Sequence, residues 1–268
     1  MKITRRSLLL LLAAAMIVVF SIMGPELLSG YKDKAILNEL HAENIEMEEE
    51  GYRYELDAGE KLYVLSKSLS TQKQLDNEVN GQGSGTDLST FAFIINHRNP
   101  SEQEITDEEL YENVNQELVA LKKMKLLPDT LRSVKSDTYQ GVLYSAIDIL
   151  EPRNNIAVWK ISLSDIQMNA DKKNRLIEAY IDADSGKIYE FYVRSELMWD
   201  EIDPDMVIEL WSEYMELPAP VPYEADNPLM ETATYSRKYE FPGRGEEKTI
   251  VTIGFYEGIN EYFLRISR

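Results

Sequence analysis

The chain has 268 residues, 44 % hydrophobic and 28 % charged, which suits one large or two small folded domains and excludes global disorder. Its net charge of −19 repels phosphate backbones and argues against a nucleic-acid partner. The lack of cysteine excludes disulfide frameworks, cysteine zinc sites, thiol catalysis and a cysteine-linked lipid anchor.

Lys2, Arg5 and Arg6 precede an apolar run from Leu8 to Met23 that only Ser21 interrupts. A membrane-spanning helix needs about 20 apolar residues. This run has 16, and residues 24–28 extend it. A signal peptidase site wants small residues at the third and first positions before the cut. Cutting after Gly24 would leave Pro25 first, and cutting after Gly30 would put Leu28 at the third position. Residues 1–30 are therefore read as a cytoplasmic tip and an uncleaved anchor, with a cleaved signal as the alternative. The basic residues keep the N-terminus inside, so the expected location is the cell membrane, single-pass, with the C-terminal body extracytoplasmic. Arg5-Arg6 also resembles a twin-arginine export signal, although paired arginines are common before ordinary anchors.

Residues 31–56 are polar and end in Glu48-Glu49-Glu50, as either a short helical stalk or a flexible linker. A first body is expected over 57–198. Asp57-Ala-Gly-Glu60 has capping-box spacing and opens a helix over about 58–70, with Leu62, Leu65 and Leu69 on one side. Asn80-Gly-Gln-Gly-Ser-Gly85 is a glycine-rich break that fits neither a nucleophile elbow nor a dinucleotide loop. Residues 88–95 read as a buried strand. Thr106-Asp-Glu-Glu109 is a second capping box, and Leu110, Val114, Leu118 and Leu121 follow at helical spacing up to about Leu126. Segments 142–150, 156–163, 176–181 and 187–193 are rich in β-branched and aromatic residues and read as strands. Asp184-Ser-Gly186 turns the last two into a hairpin. In that turn a β-branched residue at Gly186 is expected to destabilise, and asparagine at Asp182 or Asp184 to do much less.

A smaller helix-plus-hairpin unit is expected over 199–268. Asp203 caps a helix with Pro204 in its first turn, and Val207, Leu210, Trp211 and Tyr214 share one face. A proline-rich connector (Pro218, Pro220, Pro222, Pro228) leads to strands over 232–241, 249–256 and 261–266. The whole is placed in the α+β class: an N-terminal transmembrane helix followed by an ectodomain of helices packed on antiparallel sheets.

Chemical motifs are scarce. His41 and His97 belong to no metal or triad pattern. Asp182-Ala-Asp184-Ser-Gly186 resembles the start of a calcium loop, but glycine falls one place early and Val193 stands where the closing glutamate belongs. Sixteen tyrosines and three tryptophans could form a sugar-binding surface, yet most tyrosines sit in strand-like segments that suit a half-buried sheet. No cofactor or metal is expected and no catalytic residue is assigned. Asp182, Asp184 and Gly186 are assigned to a structural turn. Trp199, Trp211 and Tyr214, near the junction of the two units, are candidates for protein contact.

Arg175-Leu-Ile-Glu-Ala-Tyr-Ile-Asp-Ala-Asp-Ser-Gly-Lys-Ile-Tyr189 resembles the closing hairpin of PepSY-like domains, an apolar strand, then Asp-x-x-Ser/Thr-Gly-Lys, then a second strand. With the helix at 106–126, the resemblance could reach from about 104 to 195, with Trp159 on its central strand. It implies an exported or membrane-tethered protein that binds or restrains other proteins and has no active site of its own. The layout is also similar to the single-pass accessory proteins that regulate sensor kinases in Gram-positive bacteria. The expected function is a membrane-anchored extracytoplasmic binding or regulatory module, not an enzyme, with an envelope protein as partner. The alternative is a carboxylate-dependent envelope hydrolase acting on peptide or glycan.

Overall fold

The computed structural model describes residues 53–79, 90–170, 173–224 and 235–266. All of them fall in one compact unit, Tyr52–Arg268. The apolar run at 8–23, the stalk and the glycine-rich break at 80–85 lie outside the described residues.

The chain runs α1 (Ala58–Val79), β1 (Phe91–Ile95), α2 (Asp107–Lys123), β2 (Tyr139–Asp148), β3 (Asn155–Leu163) and α3 (Asp165–Ala170). It continues through β4 (Arg175–Asp182), β5 (Ile188–Arg194), α4 (Pro204–Met215), β6 (Val221–Pro222), β7 (Ser236–Pro242), β8 (Lys248–Tyr256) and β9 (Glu261–Ile266). All nine strands join one sheet in the order β1-β2-β3-β4-β5-β9-β8-β7-β6, and every pairing is antiparallel.

The expected fold class is corrected by this sheet. In place of helices packed on separate antiparallel sheets there is a single sheet, and the described residues hold four helices against nine strands. No helix among the described residues is long and apolar enough to cross a membrane. The long-range step is β5 against β9, with Phe191 opposite Leu264 and Val193 opposite Tyr262. It fuses strands on either side of residue 199, and local periodicity carries no trace of such a pairing.

Two helices cover one face. α2 opens with the expected capping box: Thr106 Oγ1 accepts from Glu109 N–H, and Glu109 Oε2 accepts from Thr106 N–H at 3.2 Å. Its buried stripe is Leu110, Val114, Leu118 and Leu121. Gly141 on β2 lets this helix sit close, because a Cβ there would lie 2.5 Å from Leu110 Cδ2. α4 starts at Asp203, whose carboxylate accepts from Asp205 and Met206 N–H, and ends at Glu216 in the left-handed region (φ 59°). Both termini follow the residues that mark them: an acidic cap with proline behind it at the start, and an αL residue at the end.

α1 occupies the other face, and the sheet curls around it. Its Tyr63 ring meets Phe91 of β1 edge-on at 5.8 Å, while its Tyr63 hydroxyl donates to Glu247 beside β8 at 3.1 Å. β1 and β8 stand six places apart in the sheet. In a flat sheet that is about 29 Å, at roughly 4.8 Å per strand, whereas a helix is only about 10–12 Å across. One helix reaches both strands only if the sheet bends round it. Arg244, in the β7–β8 turn, bridges the mouth of the curl to Asp148 at the end of β2, 3.2 Å away. Residues 62–66 of α1 are all buried, although consecutive helix residues point about 100° apart, so the helix is enclosed on every side.

Candidate functional site

The Asp182–Lys187 turn is tight, as expected. Gly186 has φ 77°, and its N–H donates to the Asp182 carbonyl at 2.8 Å. α2 lies over it, so a Cβ on Gly186 would fall 2.4 Å from Asn113 Nδ2. The turn is also the centre of an ion network that the sequence did not announce. Asp182, 3 % exposed, accepts from Asp184 N–H, Ser185 Oγ, Lys61 Nζ at 2.8 Å and the Tyr189 hydroxyl. Lys61 also donates to Asp184 at 3.0 Å. Arg53 Nη2 joins Asp184 Oδ1 at 2.9 Å to Glu104 Oε1 at 3.3 Å. Arg98 grips the fully buried Glu104 carboxylate with both guanidinium nitrogens, at 2.6 and 2.5 Å.

The electrostatics follow from that geometry. Burial alone would lower Lys61, but Asp182 and Asp184 outweigh it and hold the ammonium above its ordinary value. Burial would raise Glu104, but Arg98, the Ser101 N–H and Arg53 together hold its carboxyl below the usual range. Burial, then the neighbouring Asp182, pushes the Tyr189 hydroxyl well up. Lys61 Nζ sits where a cation bound by both aspartates would sit, so the turn is stapled by the protein's own ammonium. Asparagine at Asp182, expected to do much less than a branched residue at Gly186, would replace one of two accepting oxygens with an NH2, and Oδ2 faces the Lys61 ammonium. The network's members lacked any local signal, since Lys61 and Asp182 lie 121 residues apart in the chain.

Trp199, Trp211 and Tyr214 are drawn inward. Trp211 is fully buried; its indole N–H donates to the Ile188 carbonyl at 3.3 Å and its ring stands edge-on to Phe241. Tyr214 accepts from Ile188 N–H at 2.8 Å and donates to Glu117 of α2 at 2.6 Å, which ties α4 to both β5 and α2. Trp199 is half-buried against the core, with its ring edge-on to Tyr235 at 6.5 Å. The three side chains serve to join α4 and its approach to the sheet.

The surface that stands out is the outer side of β1, which no other strand among the described residues pairs. The Leu88–Ile95 run, read as a buried strand, leaves Ile94 51 % and Ile95 49 % exposed, because β1 is the last strand of the sheet. The bonds Asn96 N–H to Leu143 O and Ile149 N–H to Thr90 O show that the even-numbered residues of β1 bond to β2. The N–H and C=O groups of Phe93 and Ile95 therefore point away from the sheet. Ile149 (53 %) and Leu150 (76 %) at the β2–β3 turn are exposed as well, with Ile149 N–H bonded to Thr90 O just before β1. The opposite edge is blunted: β6 is two residues long and one of them is Pro222. β1 has five residues and neither charge nor proline.

Elsewhere, a shallow groove along α2 is lined by Glu112, Asn115, Gln116, Val119 and Lys123. Asn115 is engaged with the backbone of Tyr111 and Val134. Among the described residues no group of three or more His, Cys, Asp or Glu side chains is placed to hold a metal ion. None of the family models, curated proteins or solved structures compared with the chain matches it.

Proposed function

We propose that this protein is a membrane-anchored, extracytoplasmic binding module without catalytic activity, and that it acts by adding a partner's strand to the edge of β1. The observation that carries the proposal is the contrast between the sheet's two edges. Natural sheets blunt their edges with short strands, proline or charge, as β6 does here. β1 keeps outward-facing backbone groups on Phe93 and Ile95, flanked by exposed isoleucine on both faces. Strand addition uses those two features: the backbone supplies affinity and the alternate side chains supply selectivity. The largest charge cluster, around Asp182, is consumed within the fold. The anchor part of the proposal rests on the basic and apolar pattern of residues 2–23. The PepSY-like reading is retained within it, supported by the packing of α2 over the β4–β5 hairpin.

Three experiments test the proposal. The full chain in washed membranes should resist extraction by high salt and alkaline buffer. A mature N-terminus at or beyond Pro25 would remove the anchor. A photo-crosslinking residue at position 95 should join the chain to a protein of the same membrane, while one at Val119, on the exposed side of α2, should not. Replacing Ile95 with proline leaves the β1–β2 ladder intact, since that N–H faces outward. Ile95→Pro should abolish crosslinking from a probe at Ile94. Hydrolysis of wall peptide or glycan by the purified protein would overturn the non-catalytic reading.

A further inference from the structure

We propose that the β7–β8 turn is a salt-sensitive clasp that opens and closes the curled sheet over α1. The helix is enclosed, so the curl can loosen around it only where two parts of the sheet meet without a backbone ladder. That place is the mouth, where the turn at 243–247 faces α1 and the end of β2. Charged and hydroxyl groups close it. Arg244 Nη1 donates to Asp148 Oδ2 at 3.2 Å. Glu247 accepts from the Tyr63 hydroxyl at 3.1 Å and from the Lys67 ammonium. Lys67 also lies 5.5 Å from the centre of the Tyr63 ring. The clasp stands independently of strand addition at β1.

The moving part and the fixed part are built differently. Within the turn, Gly243 N–H donates to the Glu247 carbonyl at 2.8 Å and Glu247 N–H donates to the Arg244 carbonyl at 3.2 Å, so the tip moves as a unit. Gly243 seats that tip on the helix: a Cβ there would fall 2.8 Å from Tyr63 Cδ2. Across the mouth, Asp148 is buried and also accepts from Leu150 and Glu151 N–H at 3.0 and 3.4 Å, which makes it a fixed acceptor. α1 itself is pinned by Lys61, which bonds Asp182 and Asp184 at the β4–β5 turn. Opening the clasp therefore lifts the tip off Tyr63 and leaves the start of the helix attached.

Ionic strength controls such a clasp. The side chains of Arg244 and Glu247 are 67 % and 53 % exposed. Exposed ion pairs are weak one by one and are screened by salt. The pairs around Asp182 and Glu104 are largely buried and are screened much less. The chain as a whole responds the other way. Its net charge is −19, and salt relieves the self-repulsion of an acidic chain. Added salt therefore steadies the body and loosens the clasp, and the opposite signs separate local opening from general destabilisation.

Amide hydrogen exchange on the full chain in detergent micelles, read by mass spectrometry, tests the clasp. Peptides over 62–69 report on α1 and peptides over 156–163 report on β3. Arg244→Gln combined with Glu247→Gln should speed exchange over 62–69 by about tenfold or more and leave 156–163 within about twofold. In the natural chain, raising salt from about 0.1 to 1 M shortens the screening length from about 10 to 3 Å. Exchange over 62–69 should then quicken while 156–163 stays level or slows. The chain has no cysteine, so Lys67→Cys with Glu247→Cys supplies the only two thiols. Joining them with a short bis-thiosulfonate reagent should abolish the salt response of 62–69. Unchanged exchange over 62–69 in the glutamine variant, or a rise that 156–163 shares, overturns the clasp. If that variant does not fold, the natural chain decides: salt that leaves 62–69 unchanged, or slows it, overturns the clasp as well. So does a salt response that persists after crosslinking.

Discussion

Replacing Asp182 with asparagine should destabilise the fold by about 2–4 kcal/mol, somewhat less than the roughly 3–5 kcal/mol for breaking a buried ion pair. Asparagine keeps one carbonyl oxygen, able to accept from Asp184 N–H. In place of Oδ2 it presents an NH2 to Lys61 Nζ, 2.8 Å away, and to Ser185 Oγ at 2.9 Å. One charge-assisted bond, worth roughly 1.5–3 kcal/mol, is lost, and the Ser185 and Tyr189 hydroxyls must re-pair at a cost of about 1 kcal/mol. Lys61 keeps Asp184 at 3.0 Å and remains 16 % exposed, so it is not stranded, and this restrains the total. Urea unfolding followed by tryptophan fluorescence suits the measurement, because Trp159 and Trp211 are buried. The midpoint should fall with the slope unchanged. Lys61→Met combined with Asp182→Asn should cost less than the two single changes added together, by on the order of 1–3 kcal/mol. A loss below about 1 kcal/mol for Asp182→Asn, or strict additivity in the cycle, would refute the ammonium staple; the thresholds follow from the bond values used. Asp184→Asn, at a side chain 29 % exposed, should cost under about 1 kcal/mol.

Gly186→Val should cost about 2–3 kcal/mol in the same unfolding assay, since φ 77° is strained for a β-branched residue and the new Cβ meets Asn113. Tyr214→Phe leaves Ile188 N–H and Glu117 without their shared hydroxyl and should lose about 1–3 kcal/mol, read as a lowered urea midpoint. Stability should form a plateau in pH. Glu104 is depressed in the fold, so its contribution is present above its ordinary value of 4.5 and is lost as pH falls through the lower folded value. Lys61 is raised, so its contribution is present below 10.5 and is lost as pH rises through the higher folded value. Melting temperatures measured across both limits should fall at each end, and a fall within the plateau would point to groups other than these two.

Sequence by itself determined the local structure wherever a short-range rule decides it. The capping box at Thr106–Glu109, the Asp203-Pro204 helix start, the Gly186 turn and the 261–266 strand could all be located from neighbouring residues alone. The same rules stopped early on α1, which runs to Val79 and not Ser70, and missed the short α3 altogether. Both segments have weak apolar periodicity, and α1 is held by enclosure more than by an amphipathic face. Tertiary structure decided which strands became neighbours. β5 paired with β9, and that step made one sheet of the expected several. It also decided that Lys61, Arg53 and Glu104 would meet Asp182 and Asp184, and that Trp211 would turn inward. Most consequentially, it placed the apolar residues 91–95 at a sheet edge. An uncharged run looks the same in sequence whether its second neighbour is another strand of its own chain or open solvent. Only the order of strands in the sheet tells the two apart, because backbone pairing is indifferent to distance along the chain.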